Sequence, residues 1–435
     1  MQLPTYVREV GFSAVFKLVS LVASFLLVPV MLGYVGVERF GIWVTLYSIL
    51  SWVVFFDLGL ASSLRNRVAG CLSADDWALG RIAISSTYLA ISLGVIVIFL
   101  FFFTVSFFID WQALFNTSRI ASDELWACMV LFALLFLIHF LLTTVNQLLF
   151  ATHNASKVVL GQMLSSLAAL AAMAALRQWY APSLVLLAAF YGGSLLLGSL
   201  LLTIYFFWTY PRLIPIPNAV SAVEMRGLMG AGSKFFLIQM AVLVIFSTDK
   251  FIMAHLFSPS VVAGYEVVSR LFSTLLIGAN LLMAPLWSAY TRLWAHKDTT
   301  AIRRMLRRSY GILLLVALPG VLLLVFGQRV VAVWVGTELH IPDSLFVASC
   351  ALVLLRVWTD TFAYLLNGTG MIGVQMWLAL LQCVINVPIA LHLGQAMGPS
   401  GVVWASVITL SLSGVVLPLH AWYLLKEKEG IRYDE

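Results

Sequence analysis

Residues 11–33 read GFSAVFKLVSLVASFLLVPVMLG, a run in which Lys17 is the single charge. A membrane-spanning helix needs about 20 mostly apolar residues, so this run predicts a span rather than a core helix of a soluble domain. Outward from it the pattern recurs eleven times, with charges or Pro/Gly breaks between: 40–62, 82–109, 125–151, 158–177, 182–208, 234–257, 262–288, 309–334, 343–368, 372–394 and 399–425. The whole chain agrees. Its 435 residues are 62% apolar and 10% charged, with a mean hydropathy of +1.01, against roughly 45–50% and 25% in a soluble domain. That excludes a soluble enzyme, a nucleic-acid reader and a disordered chain. The expected fold is an all-α polytopic membrane protein of twelve transmembrane helices. Met1 to Val10 lacks a cleavable signal with a small-residue exit site. Cys71, Cys128, Cys350 and Cys383 have no metal or redox spacing, and no metal or cofactor is expected.

Orientation follows from the basic residues. With the N-terminus inside, the cytoplasmic segments hold seventeen Lys and Arg, while the outer loops hold Arg39, Arg119, Arg177 and Arg329. Lys and Arg concentrate in cytoplasmic loops, so both termini are expected in the cytoplasm, and the net charge of +6 needs no nucleic acid. Trp111, Trp126, Trp179, Trp208, Trp287, Trp294, Trp334 and Trp422 fall near span ends, where their rings suit the interface belt. At mid-chain, Tyr210-Pro-Arg-Leu-Ile-Pro-Ile-Pro217 carries three prolines that forbid a continuous helix. It divides the chain into a six-helix bundle over 1–208, a cytoplasmic linker over 209–233 and a second six-helix bundle over 234–435. A shift of 223 residues lays Phe40–Tyr47 over Ala263–Arg270 and Asp57–Leu64 over Asn280–Trp287. This favours a duplicated unit in parallel orientation, a transporter pattern with the site between the halves.

Several motifs resemble those of a known family. Gly33-Tyr-Val-Gly36, Phe40-Gly41-Ile-Trp43, Asp57-Leu-Gly59 and Arg65 to Ala69 look like the opening of bacterial polysaccharide transporters, the O-antigen-type flippases of the multidrug/oligosaccharidyl-lipid/polysaccharide (MOP) exporter superfamily. Thr248-Asp-Lys-Phe-Ile-Met253, Ala263-Gly-Tyr265, Ser269-Arg-Leu271, Ala284-Pro-Leu-Trp287, Leu366-Asn-Gly-Thr-Gly370 and Val384-Ile-Asn386 continue the likeness through the second half. The resemblance implies two bundles around a central cavity. It also implies transfer of an undecaprenyl-pyrophosphate-linked glycan (O-antigen, capsule or exopolysaccharide) between leaflets by alternating access, with polysaccharide polymerase or chain-length machinery as possible associates.

Eight charges fall inside the expected spans: Lys17, Asp57, Asp249, Lys250, Glu266, Arg270, Arg356 and Asp360. Such charges cost about 2.5–3.5 kcal/mol each on insertion scales and face a cavity or a partner. Two readings stand. Glu266 and Arg270, like Arg356 and Asp360, are four apart and can pair along one helix face, or the cations can hold a phosphorylated cargo. For cargo the candidates are Arg270 and Arg356, whose planar forks suit phosphate, then Lys17 and Lys250. Asp57, Asp249, Glu266 and Asp360 are candidates for gating, ion pairing or ion coupling. Asp57 is read chiefly as the partner of Arg65, Arg67 or Lys17 in a gate, and Asp360 as the better proton carrier by depth. In-span amides that can meet a glycan or glue helices are Asn146, Gln147, Gln239, Asn280, Asn367 and Gln382. His139, His255, His392 and His420 are read as packing residues.

Other chemistry fits less well. Gly227-Leu-Met-Gly-Ala-Gly-Ser-Lys234 has the wrong order for a P-loop and no preceding strand. Arg303, Arg304, Arg307 and Arg308 read as contacts for anionic lipid head groups, with gathering of cargo phosphates as the alternative. A multidrug or cation antiporter of the same superfamily is the second functional reading, although the first span carries Lys17 and no carboxylate. A membrane glycan polymerase or ligase comes third, because the longest outer connector, Asp110 to Glu124, holds no converging catalytic set; the protein is expected not to be an enzyme.

Overall fold

The computed structural model describes residues 3–51, 60–152, 154–226, 248–336, 339, 341–371 and 373–433. Among them the structure is helical, with no strand. Among the described residues, ten helices are long and apolar enough to cross a membrane. Helix α1 (Leu3–Ser51) holds the first expected span and the start of the second. At about 1.5 Å per residue it is too long for one crossing, and Gly36 breaks it with φ 78° and ψ 172°. That positive φ is open to glycine and strained for other residues. The rest of the first half is α2 (Leu60–Ser73), α3 (Trp77–Ser106), the short α4 (Trp111–Phe115), α5 (Ser122–Ala151), α6 (Ala155–Trp179) and α7 (Leu184–Thr209). The second half has helix over 248–256, then α8 (Pro259–Ala295), α9 (Thr299–Val335), α10 (Asp343–Thr369), α11 (Gly373–Met397) and α12 (Pro399–Tyr433). Asp57, Gln239 and the P-loop-like stretch 227–234 lie outside the described residues.

The chain divides into two compact units, Met1–Met240 and Ala241–Glu435. In the first, α1 packs on α6 and α5 on α7, with α6 and α7 also in contact. In the second, α8 lies against α10, while α12 packs on both α10 and α11. Lipid tails are as apolar as Leu, so helices in a bilayer associate through close fit and small residues. The α6–α7 contact follows that rule. A Cβ on Gly198 would overlap Ser165 Oγ and lie 2.6 Å from the Gly161 carbonyl oxygen, while one on Gly193 would meet nothing within 4 Å.

Most in-span hydroxyls need no tertiary partner. Ser194, Ser199 and Thr203 on α7 donate to the carbonyls of Phe190, Leu195 and Ser199. Tryptophans near the span ends divide in role. Trp179 and Trp208 are exposed, as a belt requires, but Trp111 is buried. Trp111 donates to the Ser106 carbonyl and Trp126 to the Ser106 hydroxyl, so these two indoles tie α4 and α5 to the end of α3.

The mid-chain prolines form two single 3-10 turns, Pro211–Leu213 and Pro217–Ala219. This segment does not run free. Arg81 on α3 donates to the Ile214 carbonyl at 2.8 Å. Ser85 and Ser86 accept from the backbone amides of Ile216 and Ser221. Arg67 on α2 forks onto Glu224 at 2.5 and 2.9 Å. The linker is stapled across the first turns of α3.

Replacing Gly198 by Ala forces α6 and α7 apart, at a cost of about 1–3 kcal/mol. Thermal unfolding in detergent should show a lower midpoint for Gly198→Ala and an unchanged one for Gly193→Ala.

Candidate functional site

Of the eight intramembrane charges, three converge where the 248–256 helix meets α8. The turn at Phe257 and Ser258 brings the two helices side by side in antiparallel register. Lys250 Nζ then reaches Glu266 at 2.7 Å, and Arg270, one turn further along α8, donates to the other Glu266 oxygen at 2.9 Å. The i,i+4 pair read from the sequence is therefore one arm of a three-residue cluster. Its centre is sealed and its rim is open: the Glu266 side chain is 9% exposed, Lys250 23% and Arg270 41%. One carboxylate lies between two cations, and the guanidinium is the more exposed of the two. An anion reaching Arg270 would meet a fork already oriented by Glu266. A guanidinium presents planar, bidentate donors to phosphate oxygens.

Asp249 is next in sequence to Lys250 but stands outside this cluster. Successive residues of an α-helix point about 100° apart, and Asp249 turns into the unit instead, where it is 3% exposed. Tyr265 donates to it at 3.4 Å, and Ser406 on α12 at 3.4 and 3.5 Å. Asn386 on α11 extends the chain, its amide donating to Ser406 at 3.2 Å and to Thr409 at 3.1 Å. Asn386 is fully buried, and its carbonyl oxygen has no hydrogen-bond partner. Near by, Gln382 donates to Ser413 at 2.7 Å, so this amide joins α11 to α12. Buried polar groups in a membrane protein are costly unless partnered and mark functional positions. The span containing Asp249 offered one carboxylate to sequence reading; Tyr265, Ser406 and Thr409 around it carried no signal in a linear pattern.

The remaining candidates lie elsewhere. Arg356 and Asp360 are one turn apart on α10 and only partly exposed, and their charges act on each other. Lys17, in the first unit, is exposed and reaches Gln162 on α6 at 3.4 Å. His139 is bonded to Ser199 at 2.7 Å, which joins α5 to α7 as expected of a packing histidine. At one end of the first unit, Glu124 accepts from Arg39 and from the Leu184 amide, while Glu38 accepts from Thr117 and pairs with Arg119. Among the described residues, no group of three His, Cys, Asp or Glu is arranged to hold a metal.

Known proteins share this chain and fold. A protein of Yersinia pseudotuberculosis named for O-antigen export is 21% identical over 440 residues, 98% of this chain and 94% of its own. A protein of Salmonella typhimurium named for O-antigen transport is 21% identical over 99% of both chains. No family model matches. The fold is that of solved MOP transporters. An inward-facing multidrug resistance MATE family transporter aligns with a TM-score of 0.77 at 13% identity, covering 94% of this chain and 96% of its own. The lipid II flippase MurJ, in an inward closed conformation, aligns with a TM-score of 0.66 at 11% identity, over 95% of this chain and 87% of its own. The resemblance to polysaccharide transporters read from the motifs thus extends over nearly the whole chain.

Glu266→Gln removes the carboxylate that Lys250 and Arg270 share. Breaking a fully buried pair costs about 3–5 kcal/mol. The exposed rim screens part of this, so the expected loss is about 1–3 kcal/mol, read as a lower unfolding midpoint in detergent. The double variant Glu266→Gln with Lys250→Gln should recover most of it.

Proposed function

We propose that this protein is a flippase for undecaprenyl-pyrophosphate-linked oligosaccharide, moving it from the cytoplasmic to the outer leaflet of the bacterial inner membrane by alternating access. The observation that carries the reading is the Lys250–Glu266–Arg270 cluster, whose guanidinium is exposed at the rim. The cargo's head is a dianionic or more highly charged pyrophosphate that must leave water, and a preformed guanidinium replaces the hydration it loses. Names given to the relatives, O-antigen export and O-antigen transport, supply the substrate class. In this scheme Arg270 binds the pyrophosphate, Lys250 follows as a mobile point charge, and Glu266 holds both in place between cargoes. Arg356 and Lys17 are further phosphate contacts, with Asp360 and Asp57 acting in gating or ion coupling. Both termini lie in the cytoplasm, and the basic loops on that side meet anionic lipids.

Asp249 has a separate role in the proposal. Its carboxylate sits among hydroxyls and an amide rather than against a cation, so its charge state can change without breaking an ion pair. That suits coupling to an ion gradient. It also favours the second reading, a cation antiporter, because a multidrug transporter shares the fold.

Reconstitution with a fluorescent undecaprenyl-pyrophosphate oligosaccharide tests both. Arg270→Ala with Arg356→Ala should lower the initial flipping rate at least tenfold, and Arg270→Lys should keep part of it. Full transport by the double variant sinks the phosphate role. Transport of cationic dyes without the glycolipid establishes the second reading. Asp249→Asn should abolish any dependence of the rate on an imposed ion gradient, while glycolipid binding at equilibrium stays within about twofold.

A further inference from the structure

Helix α9 carries a second arrangement of cations, in the second unit and at its own start. It runs 37 residues, from Thr299 to Val335, about 55 Å at 1.5 Å per residue and well beyond the roughly 30 Å hydrocarbon thickness. The surplus turns at its beginning bear Arg303, Arg304, Arg307 and Arg308. With Thr300 they line an open groove of about 470 Å³. Arg304, Arg307 and Arg308 are exposed, and among the described residues none of the three is in an ion pair.

The register of the helix adds the second half of the site. At 3.6 residues per turn, Arg304 and Leu322 are five turns apart and project along one line. Leu315, Leu318 and Val325 fall on the same face, and each is more than half exposed. On the opposite face Ile302, Leu306, Ser309, Val316 and Gly320 are buried, against the side where α8 and α10 pack. One uncovered strip of α9 therefore begins as a groove of guanidiniums and continues without a break as an apolar track.

We infer that this strip is a docking site for a polyprenyl pyrophosphate lipid, the head group held by Arg304, Arg307 and Arg308 and the isoprenoid chain laid along Leu315, Leu318, Leu322 and Val325. The inference rests on the flippase reading and adds to it a collecting site separate from Arg270. Charge complementarity selects the occupant. A phospholipid such as phosphatidylglycerol brings one phosphodiester charge, which one guanidinium satisfies. A pyrophosphate brings two linked phosphates with more oxygens to accept, and at least three unpaired planar donors converge on one groove. The lipid's long chain also matches a track that continues for several turns.

The test uses full-length protein in phosphatidylcholine nanodiscs, with a photoreactive undecaprenyl pyrophosphate that carries no glycan. Cross-linked peptides are mapped by mass spectrometry. Labelling is expected on α9 between Arg303 and Val325, at least tenfold less sensitive to added phosphatidylglycerol than to unlabelled undecaprenyl pyrophosphate. Arg304→Lys with Arg307→Lys and Arg308→Lys keeps the charge that fixes topology but removes the planar forks, and should reduce α9 labelling about tenfold. The same labelling should persist in the Arg270→Ala, Arg356→Ala protein. One-for-one competition by phosphatidylglycerol, labelling away from α9, or labelling unchanged in the triple lysine variant overturns the site. If that variant does not fold, the wild-type cross-link map and its competition decide. Wild-type vesicles that flip the glycolipid without labelling α9 overturn this site alone; wild-type vesicles that do not flip it overturn the flippase reading.

Discussion

Hydrocarbon offers neither hydrogen bonds nor screening, and a polar group this chain takes into it is costly without a partner. Helices meet the demand for the backbone. Hydroxyls on α7 meet it by donating to carbonyls one turn back. Amides and charges have no such local acceptor, so they draw neighbouring helices together: Gln382 to Ser413, Asn386 to Ser406 and Thr409, Lys250 to Glu266. The side chains proposed for function and those that bind the second unit together are in large part the same ones.

This overlap explains how much of the molecule was legible in one sequence. Most spans follow from runs of apolar residues, a property each segment carries alone. The Glu266–Arg270 contact was readable because both residues share a helix, and i,i+4 spacing is a local geometry. Lys250–Glu266 was not, since it depends on the register of two helices about a turn. Asp249 and Lys250 are adjacent in the chain and look like a pair of opposite charges; in space they serve different neighbours. Ser406 and Thr409 lie far along the chain from Asp249, and nothing in their own surroundings distinguishes them from the many hydroxyls that merely return to their own helix. The indole of Trp111 shows the reverse error, since a place near a span end predicts the interface whereas packing made it core.

Length, too, carried more than the hydropathy pattern suggested. The expected ninth span began at residue 309, but α9 starts at Thr299. Its extra turns are what set Arg304, Arg307 and Arg308 in line with the apolar face. Asp298 caps that start by accepting from the Ala301 amide, so the projecting turns are anchored rather than frayed. The stapled segment after α7 acts similarly in the first unit: Arg67, Arg81, Ser85 and Ser86 hold what the prolines alone would leave as a loose connector.

The Lys250–Glu266 bond also bears on how the protein is made. Helix α8 by itself would have to enter the bilayer with a buried carboxylate at its first turns, and the 248–256 helix with an ammonium; each is a separate insertion penalty. The turn between them is two residues, and the charges neutralise each other across it at 2.7 Å. Entry as a pre-paired hairpin removes both penalties in one event. Two charges adjacent across so short a turn lower the cost of carrying the hairpin into lipid below that of carrying either segment alone.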